Sequence, residues 1–321
     1  MIELAPIYFK PYLKQVLWGG NKICNLKGIP QDMPNIGESW EISAVPGHES
    51  VVAEGKYKNK LLSELIEEFS EELLGKMVVK KYGKNFPLLI KFIDANDNLS
   101  IQVHPDDKIA SKRHGGLGKN EMWYIIDTDK GSKIYAGFKI QTNPEDYQTR
   151  IEEGTFLETV AVHDSKPDDV FYLPAGRVHS IGAGNLLAEI QESSDITYRI
   201  FDYNRTGSDG KKRELHTQEA KEVLDYTVYP TYKNPPVDNK LNKAKLVSCD
   251  HFQTYRLLVD GKEDFHFDDS CFKILICIEG RVKIIYEAGE TELKAGKTIL
   301  LPAKLTHITL IGKAKLLLTH P

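Results

Sequence analysis

Short strand-like runs dominate the sequence and constrain its fold more than any other feature. They are rich in β-branched and aromatic residues and are bounded by Gly, Pro, Asn or Asp, as in FPLLIKFIDA, EMWYIIDT, SKIYAGFKI, DVFYLPAG, NLLAEIQES and ITYRIFDY. Runs of this kind predict β-strands. Helical periodicity is confined to a few pieces, LLSELIEEFSEELLGK, NPEDYQTRIEEG and ELHTQEAKEVLDYT. The pattern therefore predicts a mainly β protein with inserted helices.

A change of composition divides the chain near residue 235. The stretch YPTYKNPPVDNKLNKAK, residues 229 to 245, contains three prolines and several polar residues, which is typical of a linker. Beyond it every segment is strand-like, and turns such as EGR and AGE recur at the close spacing of a sandwich or barrel. We therefore expect a larger domain over residues 1–235 and a smaller all-β domain over residues 240–321.

Composition excludes several classes of protein. The net charge is −4, and no long basic run suggests a nucleic-acid partner. The N-terminus lacks a basic start followed by an apolar run, and no apolar stretch approaches the roughly 18 residues of a membrane span. The four cysteines form no CxxC pair and no zinc-finger spacing. We expect a cytoplasmic protein with reduced thiols.

The stretch SIQVHPDDK, residues 100 to 108, suggests a metal site. Gln102 and His104 alternate on a predicted strand, so both side chains point to the same face. Glu121 begins a later strand, and His179 follows a Pro-Ala-Gly turn. Two imidazoles, a carboxylate and an amide oxygen suit Zn²⁺ or another divalent transition metal. With one negative ligand, the site would keep a charge of about +1 and could polarise a carbonyl.

Several motifs together resemble a known enzyme family. They are VLWGG, GESWEIS, PLLIKFIDANDNLSIQVHPDD, KNEM, LPAGRVH and LLAEIQESSDITYRIFDYNR, and they span roughly residues 16 to 205. In this order they resemble the cupin metal site of type I phosphomannose isomerases in their short bacterial form. The resemblance implies a jelly-roll β-barrel domain with helical insertions and a smaller C-terminal cupin-like domain. It also implies an enzyme that interconverts mannose 6-phosphate and fructose 6-phosphate through an enediol.

The resemblance implies roles for individual residues. His104, Glu121, His179 and Gln102 would bind one zinc ion per chain, although the Gln102 amide could bind substrate instead. The candidate catalytic residues are Arg199, Lys119 and Asp195, and the candidate substrate or phosphate ligands are Lys91, Ser100 and Arg205.

The chemistry of the reaction suits these residue types. Arg199 would stabilise the enediolate or bind the phosphate, because a guanidinium pairs well with oxyanions. Lys119 would protonate the ring oxygen when the pyranose opens, and Asp195 is a candidate proton carrier.

Two other functions remain open from the residues alone. An iron-dependent cupin oxygenase would also combine His and carboxylate ligands. A non-catalytic cupin that binds sugar phosphates would keep the basic residues. The C-terminal domain has a cupin-like LKAGKTILLPAKLTH segment without an upstream H-x-H pair, so we expect it to be metal-free and structural. The expected partner is a small sugar phosphate, and the expected state is a monomer or homodimer.

Overall fold

Antiparallel strands form most of the computed structural model, which describes residues 4–30, 33–207, 210–238 and 240–321. The strands are β1 (Phe9–Lys10), β2 (Tyr12–Gly20), β3 (Ile36–Ile42), β4 (Val51–Val52), β5 (Leu88–Ala95), β6 (Ile101–Val103), β7 (Glu121–Thr128), β8 (Lys133–Phe138), β9 (Val160–Asp164), β10 (Val170–Leu173), β11 (His179–Ile181), β12 (Asn185–Glu192), β13 (Tyr198–Phe201), β14 (Lys243–Ser248), β15 (Gln253–His266), β16 (Lys273–Tyr286), β17 (Gly289–Lys294), β18 (Thr298–Leu301) and β19 (His307–His320). The prediction of a mainly β protein is confirmed.

The helices are short and lie between the strands. They are α1 (Lys22–Lys27), α2 (Leu62–Phe69), α3 (Glu71–Leu74), α4 (Lys76–Tyr82), α5 (Asp107–His114), α6 (Pro144–Glu153) and α7 (Thr217–Val223), with a 3₁₀ helix at Phe156–Thr159. Among the described residues, no helix combines the length and the apolar character needed to cross a bilayer.

Two sheets pack against each other in the N-terminal part. The first has the order β10-β7-β12-β5-β2-β3, and the second has the order β13-β6-β11-β8-β9. Trp123 and Leu187 of the first sheet share one buried apolar cluster with Ile134 and Ile181 of the second. Alternation along each strand then sends every second side chain into the space between the sheets.

Further layers cover the outer faces of these sheets. Tyr147 of α6 and Ala220 of α7 pack with Val103 on the outer face of the second sheet. The outer face of the first sheet packs against α2 to α4 and against strands from the C-terminal part, within one apolar cluster. Both sheets are therefore held rigidly from both sides, which suits them to position a site between them.

The C-terminal strands form a separate sheet with the order β14-β15-β19-β16-β17, and β18 also pairs with β16. Its inner face has an apolar cluster of its own, which includes Leu275, Ile299 and Leu316. Other residues of the same strands, such as Ile274 and Leu317, belong to the cluster shared with the N-terminal part.

Capping side chains begin two of the helices, and a break divides a third periodic segment. Asp106 caps α5 by accepting a hydrogen bond from Ile109 N–H, and Asn143 caps α6 with Pro144 as its first residue. The segment LLSELIEEFSEELLGK, whose periodicity predicts one helix, is instead divided between α2 and α3. Ser70 interrupts it, because its φ of 40° lies outside the helical region.

Candidate active site

A cavity of about 420 Å³ opens between the two N-terminal sheets. Several residues predicted for the site line this cavity, namely Lys91, Ser100, Gln102, Lys119, Asp195 and Arg199. His104, Glu121 and His179 are nearly fully buried and contact the lining residues Lys119 and Gln102. A volume of this size lies in the usual range of small-molecule sites, about 300–1,000 Å³.

Strand register brings part of the site together on the second sheet. Gln102 of β6 lies directly opposite His179 of β11 and also opposite Arg199 of β13. Directly paired residues of neighbouring strands point to the same face. The three side chains therefore form one row across the sheet, although their positions in the sequence are far apart.

A second row crosses the first sheet. Glu189 of β12 pairs with Lys91 of β5 on one side and with Trp123 of β7 on the other, and Lys91 also pairs with Trp40 of β3. Trp123 meets the His179 ring edge to face, with the ring centroids 5.4 Å apart. The two rows thus approach each other from opposite sheets.

His104, Glu121 and His179 form a compact cluster whose ligand atoms all lie within 4.8 Å of one another. Glu121 Oε1 lies 3.2 Å from His179 Nε2, and Glu121 Oε2 lies 3.5 Å from His104 Nε2. The Nε2 of Gln102 lies 3.3 Å from His179 Nε2. The structure therefore brings all four predicted metal ligands together.

Hydrogen bonds orient both imidazoles toward this cluster. His104 Nδ1 lies 2.8 Å from the carbonyl oxygen of Ile196, and His179 Nδ1 lies 2.8 Å from that of Arg177. A carbonyl only accepts, so each Nδ1 carries the proton and each Nε2 presents a lone pair. Glu121 Oε1 is buried without a hydrogen bond among the described residues. These donor atoms fit a divalent metal ion.

Burial changes the protonation of the cluster. It lowers the pKa of His104 well below its usual value and, together with the Lys119 charge, lowers the pKa of His179 to about 3. Both rings are therefore neutral, as metal ligands must be. Burial raises the pKa of Glu121 to about 7 despite the nearby Lys119 ammonium. A dication at this position would favour the ionised form of Glu121.

Lys119 lies at the edge of the cluster. Its Nζ is 2.6 Å from Glu121 Oε2 and 3.0 Å from His104 Nε2. Its side chain is only 5% exposed. The Lys119 side chain thus lies next to the predicted metal ligands and lines the cavity.

Lys91 lies between two buried carboxylates. Its Nζ is 3.0 Å from Glu189 Oε1 and 3.7 Å from Glu38 Oε2. Burial alone would lower the pKa of Lys91, but the two carboxylates outweigh it and raise that pKa. Burial opposes ionisation of Glu189 as well, yet Lys91, Lys119 and the Trp123 indole lower its pKa to about 2. Lys91 is therefore already neutralised by protein groups.

Glu189 also lines the cavity and was not predicted from the sequence. The only signal for it was a carboxylate in the middle of the otherwise apolar run NLLAEI. A charged side chain on a buried strand requires a partner, which in this fold is Lys91.

Two guanidinium groups also line the cavity. They belong to Arg199 and Arg213, with His216 beside them in the lining, and Arg199 lies two strands away from His179 across the second sheet. Arg199 Nη1 donates to the Glu214 carbonyl at 3.0 Å. Burial, followed by the charge of Arg213, lowers the pKa of Arg199. Arg213 Nε donates to Asp202 at 2.7 Å. Concentrated positive charge of this kind favours an anionic ligand.

Arg205 is placed differently from the other predicted residues. It pairs with Asp202 and donates to the carbonyl of Asn98, and it is not among the residues that line the cavity. Arg213, which follows the sequence GKK and was not predicted, lines the cavity instead. Asp195 is exposed at the cavity, and Ser100 Oγ lies 3.5 Å from Gln102 Oε1.

Comparison with known proteins identifies relatives over the whole chain. The family model for the phosphomannose isomerase type I catalytic domain matches residues 7–142, and the mannose-6-phosphate isomerase cupin domain matches residues 242–321. Mannose-6-phosphate isomerase ManA of Bacillus subtilis is 36% identical over 98% of each chain. The mannose-6-phosphate isomerase of Streptococcus mutans is 32% identical, again over 98% of each chain.

Solved structures agree with these relatives. The crystal structure of the mannose 6-phosphate isomerase from Bacillus subtilis superimposes with a TM-score of 0.90 at 34% identity, over 99% of this chain and 100% of that one. A putative mannosephosphate isomerase from Archaeoglobus fulgidus gives a TM-score of 0.81 at 25% identity, over 100% and 99% of the two chains. The predicted cupin fold is confirmed, and the chain belongs to the type I phosphomannose isomerase family.

Proposed function

We propose that the protein is an aldose–ketose isomerase that interconverts mannose 6-phosphate and fructose 6-phosphate. The observation that carries this proposal is the arrangement of the cavity. A buried set of neutral imidazoles and a carboxylate lies beside the cavity, and the guanidinium groups of Arg199 and Arg213 line it, with Arg199 two strands away from His179. The first group suits the carbonyl and hydroxyl oxygens of a sugar, and the second suits its phosphate. The relatives support neither an oxygenase nor a non-catalytic sensor.

The proposed metal is one Zn²⁺ ion held by His104, Glu121, His179 and Gln102. Two nitrogens and a carboxylate oxygen are typical zinc ligands, and the fourth would be the Gln102 amide oxygen. This requires the amide to rotate, because its Nε2 rather than its Oε1 now faces His179. When bound, the ion would act as a Lewis acid that lowers the free energy of negative charge on the substrate oxygens. The hydrogen bonds from Nδ1 of each His to a backbone carbonyl would keep the rings oriented.

The proposed phosphate site consists of Arg199 and Arg213. Both guanidinium groups line the cavity, and Asp202 fixes the position of Arg213. Lys91 is less suited to this task, because Glu189 and Glu38 already neutralise it. We infer that Lys91 acts on the substrate through Glu189, which it keeps ionised.

Proton transfer between C1 and C2 requires a base close to the substrate. Glu189 is ionised at neutral pH and lines the cavity, so it joins Asp195 as a candidate. Lys119 is the candidate acid for ring opening. A dication among the His and Glu ligands would repel its ammonium and leave it available to the substrate.

We retain residues 1–235 as the catalytic domain and 240–321 as the smaller cupin-like domain. Many contacts cross this boundary, including the backbone hydrogen bond from Phe272 N–H to the Leu74 carbonyl. A cytoplasmic location and a monomeric or homodimeric state also remain predictions.

The test is turnover of mannose 6-phosphate to fructose 6-phosphate before chelation, after chelation and after Zn²⁺ is added back. We expect activity to disappear with chelation and to return with zinc. Arg199→Ala should retain the metal and lose at least about a hundredfold in kcat/KM. The exposed Arg281 provides a matched Arg281→Ala control with normal turnover. Inactive metal-replete protein would contradict the proposal.

A further inference from the structure

A second group of potential metal ligands lies outside the cavity. Asp107 is the first residue of α5, Glu192 is the last residue of β12, and His251 lies in the turn between β14 and β15. One ligand atom from each lies within 4.8 Å of the others. His251 Nδ1 is 2.8 Å from Glu192 Oε1 and 4.0 Å from Asp107 Oδ2.

Backbone and amide donors hold each carboxylate by one oxygen and leave the other free. Asp107 Oδ1 accepts from Gly118 N–H at 2.8 Å, and Glu192 Oε2 accepts from both the backbone and the side-chain amide of Asn120 at 2.7 Å. The remaining oxygens, Asp107 Oδ2 and Glu192 Oε1, face His251 Nδ1. Such fixed orientation is typical of ligands whose other atoms bind a metal.

One buried oxygen at the centre of this group has no well-directed hydrogen bond. Glu192 is only 2% exposed, and its Oε1 makes none among the described residues, although it lies 2.8 Å from His251 Nδ1. A proton on His251 offsets this buried charge, which is why Glu192 raises the pKa of His251. A cation shared by the three groups would take the place of that proton and would also offset the repulsion between the two carboxylates.

We propose that Asp107, Glu192 and His251 bind a second divalent transition-metal ion, with water completing its coordination. Two carboxylates and one imidazole suit Zn²⁺, Mn²⁺ or Co²⁺ rather than a soft monovalent metal. The two negative charges balance the dication. A proton on His251 is the competitor for the same place. Glu192 raises the pKa of His251 above its usual value, so binding strengthens as the pH rises through this raised pKa.

The site connects the two parts of the chain. His251 belongs to the C-terminal part, whereas Asn120, held by Glu192, lies between Lys119 and Glu121. Binding of the ion would therefore fix the C-terminal part against the segment that carries these two residues. The site shares no ligand with the cavity cluster, so this proposal does not depend on the proposed isomerase activity.

The experiment is zinc titration of the chelator-stripped protein at pH 8, followed by gel filtration and elemental analysis. We expect two zinc ions per wild-type chain and one per chain for His251→Gln and for Asp107→Asn. The control is Asp106→Asn, which changes the neighbouring carboxylate but keeps a good helix cap. It should bind two ions. His104→Gln should retain one ion, and the double variant His104→Gln/His251→Gln should bind none.

Thermal unfolding provides a second readout that does not depend on activity. Zinc in excess over the first equivalent should raise the Tm of the wild type further, and this second increase should be absent from His251→Gln and Asp107→Asn. A wild-type stoichiometry of one that is unchanged in His251→Gln and Asp107→Asn, or a stoichiometry of two that survives both substitutions, would overturn the proposal.

Discussion

Lys91 shows how a buried residue can support the site by neutralising carboxylates. Its ammonium lies between Glu189 and Glu38 on neighbouring strands, and its side chain is only 8% exposed. Removing this cation leaves two carboxylates buried without their shared partner. We expect Lys91→Met to destabilise the protein by roughly 3–5 kcal/mol, measured by urea unfolding.

A matched surface change separates this role from a general effect of losing a lysine. Lys84 pairs with Glu67 at the surface, where both side chains are about half exposed. Lys84→Met should cost at most about 1 kcal/mol. If Lys91→Met left stability intact and only raised KM, direct phosphate binding by Lys91 would replace the structural role.

Arg213 is the residue whose kinetics test the phosphate site. Charge-assisted hydrogen bonds contribute about 1.5–3 kcal/mol, so Arg213→Gln should raise KM for mannose 6-phosphate by roughly tenfold to a hundredfold. The inhibition constant of inorganic phosphate should rise in parallel. Steady-state kinetics with phosphate as a competitor measure both values.

The comparison residue for Arg213 is Arg205, because both guanidinium groups pair with Asp202. Only Arg213 lines the cavity. Arg205→Gln should therefore change KM much less. Equal changes in the two variants would indicate that the shared partner Asp202, rather than a phosphate contact, determines the effect.

The sequence predicted some residues of this site and could not predict others. Alternation on one strand placed Gln102 and His104 on the same face, and the family motifs supplied Glu121, His179 and Arg199. The pairing of β6 with β11 and β13 involves residues about 80 to 100 positions apart, and no local pattern encodes it. Nothing in the local sequence distinguishes Arg205 from Arg213. Which of them reaches the cavity depends on the three-dimensional path of the chain, which no sequence pattern shows.

At the scale of elements, Gly75 lies where the helices pack closely against the backbone of the C-terminal part. It ends α3 and precedes α4 with a φ of 90°. A Cβ at this position would lie 2.3 Å from the Ser270 carbonyl oxygen and 2.5 Å from backbone atoms of Cys271. We expect Gly75→Ala to cost about 2–5 kcal/mol, from backbone strain and from overlap with a backbone that cannot move freely.

Gly83 provides the control for this prediction, since it ends α4 with a φ of 62° but a Cβ there would meet nothing within 4 Å. Gly83→Ala should cost only the backbone strain of its φ of 62° and ψ of −131°, about 1–3 kcal/mol. Denaturant unfolding of both variants makes the comparison. Equal losses would mean that strain alone, and not the contact with Ser270, accounts for the effect.

The same elements show where prediction from periodicity reaches its limit. The strands were predictable because β-branched runs bounded by turn residues define each of them locally. The break at Ser70 was not, because the periodicity of Leu62, Leu65, Ile66 and Phe69 continues to Leu73. Because the helix is divided at Ser70, the carbonyl groups of Leu73 and Leu74 accept hydrogen bonds from the backbone N–H groups of Ala303 and Phe272, which lie in distant segments.

At the scale of the whole molecule, the two parts of the chain share one apolar core. Phe86 and Leu88 of the N-terminal part belong to the same buried cluster as Phe272, Ile274 and Leu317. Residues 229 to 242 therefore separate two sheets in the sequence, whereas one shared apolar cluster joins these sheets in the fold. We infer that the parts unfold together, as cooperative units with shared packing do.

Phe272→Ala tests this cooperativity. Phe272 is fully buried and stacks on Phe86 with ring centroids 4.7 Å apart, so its loss should cost about 3–5 kcal/mol. The three tryptophans, Trp18, Trp40 and Trp123, all lie in the N-terminal part, so their fluorescence reports on that part alone. We expect the fluorescence transition to move to lower denaturant in step with the transition in far-ultraviolet circular dichroism. Ile311→Ala, at an exposed position of β19, should move neither. A circular dichroism transition that shifts while the tryptophan transition stays in place would show that the N-terminal part folds independently of the C-terminal sheet.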